Sequence, residues 1–336
     1  MADRPKYNHE QLEQFFNRIA LPEDKHLYSV RELTDIGKLY YLALLLKHTL
    51  VRIPFENLTL HYSWHRTINV RPQHLYNKIV RPPSYRGGYC MENNSLFHTV
   101  LLSLGYDVFM AGARVYEKDI GKYGGFSHCV NIVIINDARY LVDVGYGANG
   151  PTTPFPVRHD FPERHIRAGS VQIRIVHEPI PQAVDQGQKV WILQQRLQEG
   201  PPGHPNAEWT PLYCFVDFEF LLEDIQCMNL SPWKSPSSWF TQKVVLSRFT
   251  TNLEGGEGET GEEPGAASED AIDEGEIDGA LILFQDTLKW RRGEKTVFEV
   301  RLQNEVQRIY VFRKFFGIEL DLEDQEAIRG TVSELK

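Results

Sequence analysis

Apolar residues recur at helical spacing through the first hundred positions: Leu12, Phe15, Phe16 and Ile19, then a dense run from Leu39 to Leu50. Each run follows a capping-box spacing, Asn8 with Gln11 and Ser29 with Glu32, so two core-facing helices are predicted. A third is predicted where Leu96, Val100, Leu101 and Leu104 share a face ahead of Gly105, a residue suited to ending a helix. From about Val108 the pattern shortens to β-rich stretches: DVFMAGARVY, HCVNIVIIN, RYLVDVGYG, VQIRIVH, VWILQQRL and TPLYCFVDFEF. Turn residues separate them, as in an antiparallel sheet or barrel. Farther on, ALILFQDTLKW, KTVFEVRL and RIYVFRKFFGI resume strand-like and then helix-like periods. The order points to an α+β fold, with 1–105 helical, 106–210 β-rich and 211–336 mixed.

Composition supports a full core and narrows the setting. With 42% hydrophobic and 12% aromatic content over 336 residues, the chain can fill two or three compact domains. Its formal charge of -9 is local. Residues Glu254 to Asp278 hold eleven of the 45 acidic residues and no Lys or Arg, which leaves 34 acidic against 36 basic residues elsewhere. That Gly-rich, acidic stretch is expected to be a disordered surface insertion over 254–278. No basic stripe interleaved with aromatics appears, so nucleic acid is not an expected partner. The four cysteines form no CxxC pair and no disulfide framework, which fits reduced thiols in the cytosol. The first ten residues lack a signal-peptide pattern, and the apolar run at 39–46 is too short to span a bilayer. A cytoplasmic protein with no membrane partner is expected.

The candidate chemistry begins at Cys90, in SYRGGYCMENN, near a predicted helix start. A thiolate is the reactive form of cysteine, and the partial positive charge of a helix N-terminus favours it. From this stretch alone a buried structural cysteine and a nucleophile both fit. The second element is GGFSHCVNIVIINDARYLVDVGYG. If Asn136 and Asp137 form a two-residue hairpin turn, paired residue numbers sum to 273, which sets His128 opposite Gly145 and Asp143 opposite Val130. His128 and Asp143 are then diagonal neighbours on one face, within reach of each other. A register slip of one residue would part them. An acidic partner fixes the imidazole tautomer and favours imidazolium, which stabilises a thiolate. A strand histidine hydrogen-bonded to a nearby aspartate is the other reading of the pair.

These residues carry a resemblance to the arylamine N-acetyltransferase family. It lies in IPFENL (53–58), in RGGYC (86–90) and on through MENNSLFHTVLLSLGYDVFMAGARVY (91–116), in SHCVNIV, in YLVDVGYG and in SPSSWFTQKVV (235–245), and it spans about residue 10 to 317. The resemblance implies a Cys90, His128 and Asp143 triad working by ping-pong transfer. The implied fold is a helical bundle carrying the cysteine, a central antiparallel β-barrel carrying His and Asp, and a C-terminal α/β lid, around a cysteine-proteinase-like core. By the same likeness Arg86 and Glu56 pair to hold the catalytic loop. Phe55 and Phe240 match acceptor-pocket positions, while Gly124, Gly125 and Gly147 match the neighbourhood where acyl-CoA approaches the backbone. No permanently bound cofactor or metal is implied; acyl-CoA is a co-substrate and small aromatic amines are acceptors. Fungal relatives include enzymes that prefer malonyl-CoA to acetyl-CoA, so either donor fits. Two other classes share parts of this pattern: a Cys-His-Asp hydrolase or transglutaminase-like enzyme, and an inactive binding protein that uses the acidic segment. The acidic segment itself departs from the family's pattern.

Overall fold

The computed structural model describes residues 4–159, 163–164, 171–197, 208–236, 238–257, 263–264, 269–293 and 295–336. The first helix, His9–Arg18, starts where the sequence places it: Asn8 Oδ1 accepts from the Gln11 N–H at 2.9 Å, and Gln11 Oε1 reaches back to the Asn8 N–H at 3.0 Å. The second, Asp35–Arg52, does not. Its cap is Thr34, whose Oγ1 accepts from Gly37 N at 3.1 Å, so the Ser29 and Glu32 spacing is coincidental. The third helix, Cys90–Leu104, ends on Gly105 in the left-handed conformation at φ 92°, where a glycine is needed. It is buried on nearly every side, which makes it the axis around which the site is assembled.

Two large antiparallel sheets follow, besides a two-stranded pairing of Gly256–Glu257 with Glu263–Pro264. In the larger, of nine strands, the hydrogen-bonded order runs Phe155–Pro156, Ala138–Val142, His128–Ile135, Asp107–Glu117, Thr210–Phe215, Val190–Leu197, Val171–Glu178, Glu163–Arg164. Lys122–Tyr123 pairs beside Asp107–Glu117. Among the described residues the end strands are not paired with each other, so the expected closed barrel is an open, half-wrapped sheet. Val130, Ile132, Leu141, Leu193 and Phe215 fill its inner face. The strand Thr210–Phe215 pairs with both Asp107–Glu117 and Val190–Leu197, so the expected boundary at 210/211 falls inside a strand.

The smaller sheet joins distant parts of the chain: Phe55–Glu56, Val245–Thr251, Ile277–Phe284, Thr287–Arg292 and Lys295–Arg301. All its pairings are antiparallel, which corrects the expected α/β lid to an antiparallel layer with a helix, Glu305–Phe316, packed on it. Leu246, Leu281, Leu283 and Leu288 meet Val311, Phe312 and Phe315 there. Phe55–Glu56 therefore links the helical part to this layer, because its backbone completes the edge beside Val245–Thr251.

The acidic segment is not the disordered insertion expected of it at either end. Glu254 is buried against Arg248 at 3.0 Å and accepts from Thr251 N. Ala271, Ile272 and Ile277 are buried, and Asp273 meets Lys25 Nζ at 2.6 Å. Few as they are, these apolar residues are spaced to land on the Asp35–Arg52 helix, and composition averaged over the stretch hides that. Residues 258–262 and 265–268 of the expected insertion lie outside the described residues.

Candidate active site

The Asn136–Asp137 turn fixes the geometry. Both residues have positive φ, 49° and 64°, as a two-residue hairpin turn of this hand requires. The ladder pairs Ile135 with Ala138 and Asn131 with Val142, the register in which numbers sum to 273. His128 opens its strand opposite Ala113 of the next one, and Asp143 sits just past the ladder's end. Their side chains meet at 2.8 Å between His128 Nε2 and Asp143 Oδ2, both groups almost wholly buried.

Cys90 is the first residue of its helix, so the unpaired N–H groups of the first turn face its sulfur's surroundings. The imidazole of His128 has Asp143 on Nε2, and Cys90, whose sulfur lies 3.6 Å from the Ser127 carbonyl, is the other group that acts on the ring. Burial alone would lower the His128 pKa. The Asp143 carboxylate and Cys90 outweigh burial and push it up to about 10. Burial would likewise raise the Asp143 carboxyl, but His128, Asn94 and the Gly145 N–H hold it below the ordinary carboxylate value. The arrangement can keep an imidazolium next to sulfur at neutral pH. Cys129, only 3.7 Å by its sulfur from the Cys90 carbonyl, is the contrast: burial pushes its thiol well up, so it stays protonated.

A residue that sequence reasoning missed holds the carboxylate. Asn94 lies one helical turn after Cys90 and is fully buried; its Nδ2 donates to Asp143 Oδ1 at 2.9 Å and to Cys129 O at 2.8 Å. Its Oδ1 accepts from Val144 N at 3.0 Å, which fixes the chain just past Asp143. A weak signal was available: an amide four positions after the cysteine lies on the same face of the helix, and one that is buried there needs buried partners. Sequence spacing marks Gly145 only as a hairpin position. A Cβ there would come within 2.7 Å of Cys90 Cα, so only glycine lets the strand end meet the helix start.

The supporting pair is in place. Arg86 Nε and Nη2 donate to Glu56 at 3.1 and 3.2 Å, and Lys78 bridges Glu56 and Glu92. Burial would raise the Glu56 carboxyl, yet Arg86 and Lys78 keep it below the usual value. This network braces the Arg86–Tyr89 approach to Cys90 from beneath, with Glu92 accepting from the Tyr89 N–H at 3.2 Å.

A cleft of about 840 Å³ opens on Cys90 and His128. Phe55, Phe240 and Gly147 line it, joined by Trp239, which no motif singles out. Trp239 stacks on Phe240 at 3.9 Å between ring centroids, and Phe240 lies 6.1 Å from Phe55. Gly147 has φ 70°, with Ser247 and Phe55 against it. Gly124 and Gly125 are not brought to this lining: a Cβ at Gly124 would strike the Glu117 carboxylate at 2.6 Å, and one at Gly125 would meet nothing.

Comparison with known proteins gives a consistent set of likenesses. Residues 38–255 match the sequence family described as N-acetyltransferase. The chain is 31% identical to the N-malonyltransferase FDB2 of Fusarium pseudograminearum (strain CS3096), over 96% of this chain and 93% of that protein. It is 25% identical to arylamine N-acetyltransferase 1 of Homo sapiens, over 71% of this chain and 78% of that one. In three dimensions it resembles the arylamine N-acetyltransferase from Salmonella typhimurium, with a TM-score of 0.73, 20% identity, and 96% and 98% of the two chains covered. It also resembles the Mycobacterium marinum arylamine N-acetyltransferase in complex with CoA, at TM-score 0.69 and 20% identity over 95% and 99%.

Proposed function

The chain belongs to the arylamine N-acetyltransferase family, and on that premise we propose that Cys90, His128 and Asp143 perform its acyl transfer. The reaction moves an acyl group from acyl-CoA to an amine nitrogen in two steps by a ping-pong course. The observation that carries the assignment of roles is the buried His128–Asp143 contact at 2.8 Å, with Cys90 as the ring's other partner.

In the first step the Cys90 thiolate attacks the thioester carbonyl, a new C–S bond forms, and the bond to the CoA sulfur breaks. The leaving thiolate takes the proton from His128, and the ring ends neutral. In the second step the amine attacks the acyl-cysteine, its N–H proton passes to His128, and the Cys90 thiolate leaves. The starting ion pair is restored. Asp143 holds the imidazole in one tautomer throughout, and Asn94 holds Asp143. Anilines suit the second step because they are neutral nucleophiles at neutral pH. Phe55, Phe240 and Trp239 offer them aromatic faces.

The donor assigned here is malonyl-CoA. Its support is the likeness to an N-malonyltransferase along nearly the whole chain, where the acetyltransferase of Homo sapiens aligns over 71% of it at lower identity. The described cleft lining holds hydroxyls and an amide, such as Ser127, Ser247 and Asn149, together with the carboxylates of Glu117 and Asp119, and neither Lys nor Arg. A malonyl carboxylate would therefore have to be hydrogen-bonded rather than ion-paired, and kept clear of those two acids. The three-domain division, with the antiparallel layer covering the cleft as a lid, and a cytoplasmic location complete the reading. No helix among the described residues is long and apolar enough to cross a membrane. Competition between equal malonyl-CoA and acetyl-CoA, read by the mass of the N-acyl product of an aniline, tests the donor. A dominant acetyl product, or CoA release past one turnover without any acceptor, contradicts it.

A further inference from the structure

Phe240 sits on the turn Trp239–Thr241, and behind it lies a chain of buried polar groups with no part in the acyl transfer. The Phe240 carbonyl accepts from Asn57 Nδ2 at 2.8 Å and from His61 Nε2 at 3.0 Å. Asn57 also donates to Lys243 O at 2.8 Å and accepts from Val245 N at 2.9 Å, so it grips both ends of the turn. His61 is 2% exposed, and its other ring nitrogen, Nδ1, lies 2.8 Å from the Oγ of Ser333, itself 1% exposed.

Chemistry assigns the protons along this chain. Asn57 Nδ2 lies 3.2 Å from His61 Nε2, but its two hydrogens go to the Phe240 and Lys243 carbonyls, so Nε2 carries the ring hydrogen toward the Phe240 carbonyl and Nδ1 is the acceptor. The Ser333 hydroxyl then donates to Nδ1 at 2.8 Å in preference to the Gln242 carbonyl at 3.4 Å. Burial, helped by Arg308, lowers the His61 pKa to about 4, which keeps the ring neutral at ordinary pH, as this pattern requires. The far end is anchored as well: Ser333 O accepts from Arg308 Nη2 at 2.9 Å and from Gln285 Nε2 at 3.2 Å, and Arg308 is itself fully buried. The result is a strut that runs from a rigid anchor through Ser333 and His61 to the backbone of the turn that aims Phe240.

We propose that Ser333 and His61 are positioning residues for the acceptor amine, acting only through the placement of Phe240. This rests on Phe240 being a wall of the acceptor pocket. The hydroxyl of Ser333 is 272 residues from His61 in sequence, touches neither Cys90 nor the triad, and satisfies a ring nitrogen that would otherwise be buried without a partner. Its removal frees the ring to shift, and with it the Phe240 carbonyl.

The test separates the two half-reactions. In Ser333→Ala, the burst of CoA released from acyl-CoA without acceptor should keep its rate and amplitude, while the KM for an aniline rises about 5-fold. Ser333→Thr, which keeps the hydroxyl, should restore the wild-type KM. The S333A/F240A double variant should have the KM of F240A alone, because the strut then has nothing to aim. Should S333A fail to fold, Ser333→Cys, with its weaker donor, should give a KM between wild type and F240A. The proposal is overturned if the burst slows together with the KM change, if threonine does not rescue, or if the two substitutions multiply independently. Absence of a burst in the wild-type protein would overturn the functional reading instead.

Discussion

The triad and the aromatic wall face the same cleft but are built in opposite ways. His128 and Asp143 are almost wholly buried, and the carboxylate accepts from a strand residue, a helix amide and a backbone N–H at once. Trp239 is 47% exposed, and Phe240 sits on a short turn held through its backbone by Asn57 and His61, its ring packed edge-on against Tyr89. The chemical centre is over-determined by hydrogen bonds, while the wall is aimed from a distance. Rate should therefore depend on atoms within the network, and acceptor choice on atoms behind the wall.

Substitutions that break the first region should cost most. Asp143→Asn keeps the shape but invites the wrong tautomer of His128, and single-turnover acylation should fall about 10⁴-fold. A loss under tenfold would mean that His128 is held by something other than this carboxylate. Asn94→Ala removes a donor to Asp143 and the acceptor for Val144 N, so acylation should drop about 10²-fold, with a lower Tm. Phe240→Ala belongs to the second region. It should raise the KM for an aniline about tenfold and leave the acylation burst intact, and a slower burst would erase the distinction between the regions.

Two further expectations concern stability. The folded pKa of His128 is raised, so its contribution is complete below its ordinary value near 6.5 and fades as pH rises through about 10. The Tm gap between wild type and His128→Gln should accordingly narrow between pH 7 and pH 10; a constant gap would mean that His128 is not held as an ion pair. Glu254→Gln, at the packed end of the acidic segment, should destabilise by about 3 kcal/mol in denaturant melts, with turnover per folded molecule nearly unchanged. A loss of turnover would tie that segment to the cleft.

Local chemistry made much of this legible. An Asn-Asp pair between two apolar runs specifies its turn, the turn specifies the register, and the register brings His128 to Asp143. Cys90 at a helix start could be read from the run that follows it. The resemblance in IPFENL and RGGYC pointed to Glu56 with Arg86, and that pair is formed. What stayed hidden is non-local. Nothing near Phe55 announces that its backbone pairs with Ser247, or near His61 that its partner is Ser333. The acidic segment misled because its average composition outweighed Ile272 and Ile277, whose burial depends on a helix more than two hundred residues earlier.

The most direct test of the central claim is intact-mass measurement of the protein mixed with malonyl-CoA in the absence of amine. Wild type should gain one malonyl group, lose it when an aniline is added, and release it as the N-acyl product, while Cys90→Ala gains nothing. A wild-type protein that stays unmodified, or a Cys90→Ala variant that still takes up the acyl group, would contradict the assignment of Cys90 as the acyl carrier.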